Sequence, residues 1–206
     1  MKNLRFFAYI GPFLFIVLTI ICGALTADYS HISQYVSELG ADENQYSFLM
    51  NYVGILPFGF SIILFSVFLM RYLNSNTVHI IVFLMLLMTG VLFGAAGIFN
   101  CDPGCPIKNV SKDATFHLIS AFSAFGLATI LQVVLGLHVV SEKFRHPFYK
   151  VSLITGLISL LFLIVMFKTG SDYEYKGLYQ RLFLLTFCCW LILTGYYSRN
   201  PFNIKG

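Results

Sequence analysis

Six apolar runs, each about as long as a membrane-spanning helix, take up most of this chain and leave little else to fold. They lie at approximately residues 6–27, 47–73, 78–99, 115–140, 151–167 and 178–197. Crossing the hydrocarbon core of a bilayer takes roughly 20 predominantly apolar residues in a helix. Composition points the same way: of 206 residues, 58% are apolar and 11% charged, and there are 22 Phe. Soluble domains carry about a quarter charged residues, and no soluble fold could cover this much apolar surface, so lipid must be the solvent. The stretches between the runs are too short for a further domain, and no internal repeat or long linker is present. The expected fold class is all-α, a single polytopic bundle of six transmembrane spans over residues 1–206.

Orientation follows from the basic residues near the span ends. With the N-terminus cytoplasmic, that side receives Lys2, Arg5, Arg71, Lys143, Arg145, Lys150, Arg199 and Lys205. The other side receives Lys108, Lys112, Lys168, Lys176 and Arg181. The bias favours a cytoplasmic N-terminus, and an even number of spans brings the C-terminus to the same side. The location expected is the inner (cytoplasmic) membrane. Acidic residues do not set topology, yet of the nine only Glu142 falls inside, so the outer face is acidic. Met1 to Arg5 would also serve as the basic start of a cleaved signal peptide, but the apolar stretch that follows is longer than such peptides use. The net charge of +4 is small and scattered, which argues against a nucleic-acid partner and leaves membrane lipids as the expected one.

Small residues should carry helix packing, since lipid removes the usual hydrophobic drive between helices. Gly90 and Gly94 form a GxxxG spacing in the third span, and Ser120, Ala121, Ser123, Ala124 and Gly126 give the fourth a similar surface. Close contact within one chain is the simple reading, and a dimer face the alternative. Cys22, Cys188 and Cys189 sit in apolar runs, where a thiol behaves as a small hydrophobe.

The polar loops are more informative. In residues 28–41, Ile32, Tyr35, Val36 and Leu39 recur at helical spacing and Gly40 is a plausible C-terminal cap. A short helix at the membrane surface fits, with Ser30, Ser33, Ser37 and Glu38 on its other stripe and His31 nearby. The second outer loop, residues 100–106, places Asp-Pro-Gly between Cys101 and Cys105. Such a turn brings two cysteines within bridging distance, and an oxidising outer compartment favours a structural disulfide. A redox-active pair and two free thiols are the other readings.

Within the spans, His117 and Arg181 stand out, each near the outer end of its helix. An ionisable group at membrane depth is costly unless paired or hydrated, and so is a functional candidate; Arg181 snorkelling outward is the bland alternative. Asn51 and Gln132 carry weaker versions of the same argument. His138 lies on the fourth span about 30 Å from His117 by helical rise, too far to share a metal, although two separate haems would be within reach of the pair. His31, Ser37, Asp102, His117 and Arg181 therefore share one level of the membrane and are the candidate catalytic residues. Two histidines and a carboxylate (His31, Asp102, His117) can hold zinc with an open position for water, although no close-spaced metal motif is present. A serine activated by a histidine and oriented by Asp102 is a second arrangement. An Arg and His pocket for a phosphate or carboxylate head group is a third.

Taken in order, residues 31–41, 97–106, His117 and 177–182 resemble the bacterial and archaeal membrane-protein family catalogued as domain of unknown function 998. The Ser-Glu-Leu-Gly-Ala and Cys-Asp-Pro-Gly-Cys-Pro segments are the more specific part of the likeness. The resemblance covers nearly the whole chain and implies six spans, with no activity to carry over. The family pattern often has Pro just before the Cys-Asp of the second loop; Asn100 stands there, a change expected to loosen the turn. The chain is also loosely similar to the Frag1/DRAM/Sfk1 group of eukaryotic membrane proteins, some of which are connected with lipid remodelling.

These observations support a membrane-embedded lipid-processing hydrolase or transferase. His31 or His117 would act as base or metal ligand, Asp102 as orienting carboxylate, Ser37 as nucleophile and Arg181 as phosphate stabiliser. The alternative is a lipid- or small-molecule-binding or accessory protein without turnover. Transport ranks third, because the only local break in a span is Pro57 with Gly54 and Gly59.

Overall fold

The computed structural model describes residues 2–72, 77–141, 147–169 and 173–198. Six helices in it are long and apolar enough to cross a membrane, and the described residues contain no strand. We label them α1 (Phe7–Leu25), α2 (Leu56–Tyr72), α3 (Thr77–Ile98), α4 (Lys112–Ser141), α5 (Pro147–Thr169) and α6 (Lys176–Tyr197). A single 3-10 turn, Lys2–Phe6, leads into α1. Glu142, Lys143, Arg145, Arg199 and Lys205, which enter the charge argument, lie outside the described residues.

Local chemistry sets several boundaries. Pro147 opens α5 at the position where its missing N–H costs nothing. Ser111 caps α4, its hydroxyl accepting the Ala114 N–H at 3.1 Å. Pro57 cannot donate to a helical ladder, and the residues before it, Leu49–Ile55, form a π-helical turn in which Leu56 N–H reaches back to Asn51 O. That turn lets the second span run on from Leu49 to Tyr72 through the proline.

The helices form a ring in chain order, α6 returning to α1. Loop residues 26–48, 99–111 and 173–175 gather at one end, called here the loop end; the opposite, terminal end carries the turn at Lys2–Phe6 and the end of α6 at Tyr197. Glycines set the closest approaches. A Cβ on Gly59 of α2 would fall 2.5 Å from Gly94 N and 2.6 Å from Gly90 O on α3, so the GxxxG pair serves contact within the chain. Aromatic rings fill the axis. Phe58 stacks on Phe15 at 4.7 Å and meets Phe93 edge-on at 5.1 Å. Phe93 continues to Phe125 at 5.9 Å and to Phe187 at 6.0 Å. Five of the six helices thus contribute to one aromatic core.

The ring does not close evenly. At the terminal end α1 and α6 touch: a Cβ on Gly195 would meet Ala8 Cβ at 2.7 Å. Toward the loop end they part, and a cleft opens between them.

Candidate functional site

The loop after α1 is not a surface helix. Only Val36–Gly40 is helical, as a 3-10 turn, and it is pushed into the mouth of the ring with Val36 3% and Leu39 0% exposed. Ile32, expected on the buried stripe, is instead half exposed, and Glu38, expected on the solvated one, is buried. The reason is polar. The Glu38 carboxylate accepts the Tyr35 N–H at 2.9 Å and the Gln34 amide at 3.2 Å, and pairs with Lys176 at 3.4 Å. A carboxylate with three such partners can be taken out of water, and it fixes the turn. The segment therefore acts as a lid.

The first turns of α6 hold that lid. Arg181 Nη1 donates to the carbonyls of His31 and Gln34, each at 2.7 Å, and of Gly177 at 3.0 Å, while Nη2 donates to the Tyr29 hydroxyl. The Leu178 N–H, free at a helix start, donates to Ile32 O at 2.9 Å. Val36 N–H donates to Gln180 Oε1 at 2.6 Å. Gly177 leaves the room for this: a Cβ there would sit 2.1 Å from Gln34 O. Arg181 is thus a clamp on backbone carbonyls rather than a snorkelling side chain. Its Nε–H is buried without a partner among the described residues, where the single ion pair is Lys176–Glu38, so Arg181 is in direct contact with no carboxylate there. Burial pushes the Tyr29 hydroxyl up to about 12, against the opposing pull of Arg181.

On the other side, Asn51 donates to Gly40 O and to Asn100 Oδ1, both at 2.8 Å, and Asn100 donates to Asp42 at 2.6 Å. Asn100 does not loosen the second loop; it ties that loop to the lid and to the π turn. Cys101 and Cys105 form a disulfide with Cα atoms 5.2 Å apart, both buried against Ala41 and Tyr35.

The candidate residues separate into three places. His31 packs its ring against Gly23 of α1, where a Cβ would come within 2.3 Å, and meets Tyr29 edge-on at 5.3 Å. Burial, and then the nearby Arg181 charge, hold its imidazole below the usual histidine range. His31 and Arg181 stand at the head of the α1–α6 cleft, a space of about 440 Å³ walled by Phe15, Ile16, Ile20, Leu182, Leu185 and Cys188. Ile20 and Leu185 are exposed, so the cleft opens sideways towards lipid.

His117 is buried, and its Nδ1 lies 2.9 Å from both Ala96 O and Phe99 O at the end of α3. Two acceptors at one nitrogen place the proton there. The ring shares two small cavities, of about 70 and about 40 Å³, with Ser37, Ala121, Phe125 and Gln180. Asp102 is elsewhere. Its carboxylate accepts the Ser111 N–H at 2.8 Å, and Ser111, through its hydroxyl and then its backbone N–H, holds it below the usual carboxylate range.

Among the described residues no group of three His, Cys, Asp or Glu side chains is gathered that could hold a metal. His31, Asp102 and His117 are not drawn together, because each is engaged by a different part of the fold. Nor does Asp102 orient a histidine; two backbone carbonyls do that for His117. The structure does join Ser37 with His117, and His31 with Arg181. The His138 side chain lies outside the described residues. Gln180 and Tyr29 stand at these two places and were not among the candidates that the sequence offered. A glutamine in the first turn of an apolar span, beside Arg181, is the signal that would have found the first.

A family model described as Protein of unknown function (DUF998) matches residues 9–197. No curated protein and no solved structure gives a significant match.

Proposed function

The chain belongs to this family of membrane proteins, and from that premise we propose that it binds an anionic phospholipid, one acyl chain in the α1–α6 cleft and the acidic head group beside Arg181. One observation carries the reading. An apolar cleft open to the bilayer ends at a guanidinium that pairs with no carboxylate among the described residues. A phosphate at that level would supply the counter-charge. The apolar walls would accept a chain without unsatisfied polar groups.

The excess of Lys and Arg that the sequence puts on the N-terminal side of the spans supports a chain with both termini cytoplasmic, resident in the cytoplasmic membrane. The lid and cleft head would then face the outer leaflet. The reading as a lipid hydrolase or transferase has less support, since among the described residues neither a metal-binding cluster nor a carboxylate-oriented serine and histidine is assembled.

Native mass spectrometry of the detergent-purified protein tests the proposal. Wild type should retain an anionic phospholipid in preference to a zwitterionic one. Leu185→Trp, which fills the cleft without touching the lid, should lose it, and Arg181→Lys should weaken the preference. A protein that carries no phospholipid, or a Leu185→Trp variant that carries as much as wild type, would refute it.

A further inference from the structure

Beneath the lid, on the side away from the cleft, three polar side chains face the two small cavities with bonding capacity unused. His117 is committed as a donor through Nδ1 to two carbonyls. No carboxylate among the described residues contacts the ring, and a charged imidazole at this depth would be costly, so the ring is neutral and Nε2 presents a lone pair. Gln180 is fixed the other way round. Its Oε1 accepts from Val36, which leaves the amide N–H groups as donors with no partner among the described residues. The Ser37 hydroxyl also makes no hydrogen bond among the described residues and can either donate or accept.

An acceptor, a donor and an adaptable hydroxyl around one space complement a group that is itself both donor and acceptor. A hydroxyl has that character. A carboxylate, with acceptors only, would meet the Nε2 lone pair with repulsion, and an ether or ester would leave Nε2 unsatisfied. The two cavities, of about 70 and about 40 Å³, each exceed the space of a single water, roughly 10–15 Å³. The larger is not sealed: it extends to Phe167 on α5 and Ile107 in the second loop, both exposed. It therefore leads outward between α4 and α5 at the loop end, and its outer walls, Phe122, Met166 and Phe167, are apolar.

We propose that this pocket is a second lipid site, distinct from the α1–α6 cleft, that takes the hydroxyl end of a long-chain alcohol. The hydroxyl donates to His117 Nε2 and accepts from the Gln180 amide, with Ser37 as its third partner. The chain leaves over Phe122 and Phe167 into the bilayer. Phe15, Val36 and Leu184 each line both the inner cavity and the cleft, so these three side chains form the partition between the two sites. The inference stands apart from the phospholipid reading, because no residue of the polar trio lines the cleft.

The test uses the full chain in phosphatidylcholine nanodiscs and hexadecanol carrying a diazirine in its chain. After photolysis, peptide mapping should place the label on the α4 segment around Ala121 and on α5 around Phe167. Unlabelled hexadecanol should compete, whereas hexadecanoic acid at mildly alkaline pH and hexadecyl methyl ether should each need about tenfold more, the size of one lost hydrogen bond in a buried site. His117→Asn keeps a donor for the two carbonyls and removes the Nε2 acceptor, so it should abolish the preference for the alcohol. Ala121→Phe fills both cavities without breaking a hydrogen bond and should abolish labelling, which covers the case in which the histidine variant fails to fold. Labelling that does not saturate, as expected if water alone fills the pocket, overturns the proposal. So does equal competition by all three compounds, or an unchanged Ala121→Phe variant. Label confined to α1 and α6 would overturn it too, while leaving the cleft reading intact.

Discussion

Arg181 shows how one side chain can organise a surface. A guanidinium has five donors in a rigid fork, and here three backbone carbonyls and a phenol occupy part of it. Lysine could not reproduce that geometry. The arrangement leaves two titrations near the clamp with opposite consequences. Tyr29 has its pKa raised from 10.0 to about 12 in the folded protein, chiefly by burial. The unfolded chain therefore loses its proton first as pH rises, and stability present below about 10 is lost on the way to about 12. The shift corresponds to at most about 2–3 kcal/mol. His31 is shifted downwards from 6.5, so its contribution is present above that value and falls away in acid as the ring is forced to charge. Thermal unfolding of the purified protein against pH should therefore show an alkaline fall that Tyr29→Phe removes, and an acid fall that His31→Gln reduces. An alkaline limb unchanged in Tyr29→Phe would mean that the phenol does not hold the lid.

At the scale of the element, the α2–α3 seam rests on Gly59 and Gly90, where a Cβ would clash with the facing helix. Gly59 faces the backbone of Gly90 and Gly94 closely enough that any side chain would displace the helices. In a bilayer this contact is close van der Waals packing, with little hydrophobic gain to replace it. Gly59→Val should therefore lower stability by roughly 1–3 kcal/mol or more, measured as denaturant-induced unfolding in detergent, whereas Gly126→Ala, with open space around it, should be near neutral. Equal effects at the two positions would show that the seam is not under this constraint. The contrast also marks what a motif can and cannot say. Gly90 and Gly94 are legible as a packing surface from spacing alone, but their partner, Gly59, lies beside Pro57 and reads only as a helix break. The lid makes the same point in reverse. Its apolar spacing suggested a surface helix, and the outcome turned on Glu38, whose partners Gln34, Tyr35 and Lys176 bury a carboxylate that spacing rules put outside.

For the molecule as a whole, the disulfide ties chemistry to compartment. With Cys101 and Cys105 joined and Cys22, Cys188 and Cys189 free, alkylation of the denatured protein without reductant should add three groups, and with reductant all five cysteines should react. Five adducts without reductant from freshly lysed cells would contradict a loop end that faces an oxidising space. The membrane class and the six-helix bundle follow from the sequence alone, because spanning helices satisfy their backbone within each segment and announce themselves by length and hydropathy. Turn chemistry favoured a bridge between the two loop cysteines but left a redox-active pair and free thiols open, and the structure joins them. The grouping of the polar residues was not legible. His31, Asp102 and His117 share a level in the membrane, but level is one coordinate of three, and the azimuth of each around the ring is set by helix packing. Only the tertiary structure sent Asp102 to Ser111, His117 to the carbonyls of α3 and His31 to the notch at Gly23. It alone opened the space between α1 and α6, because a cleft is a property of how two helices diverge and neither helix encodes it by itself.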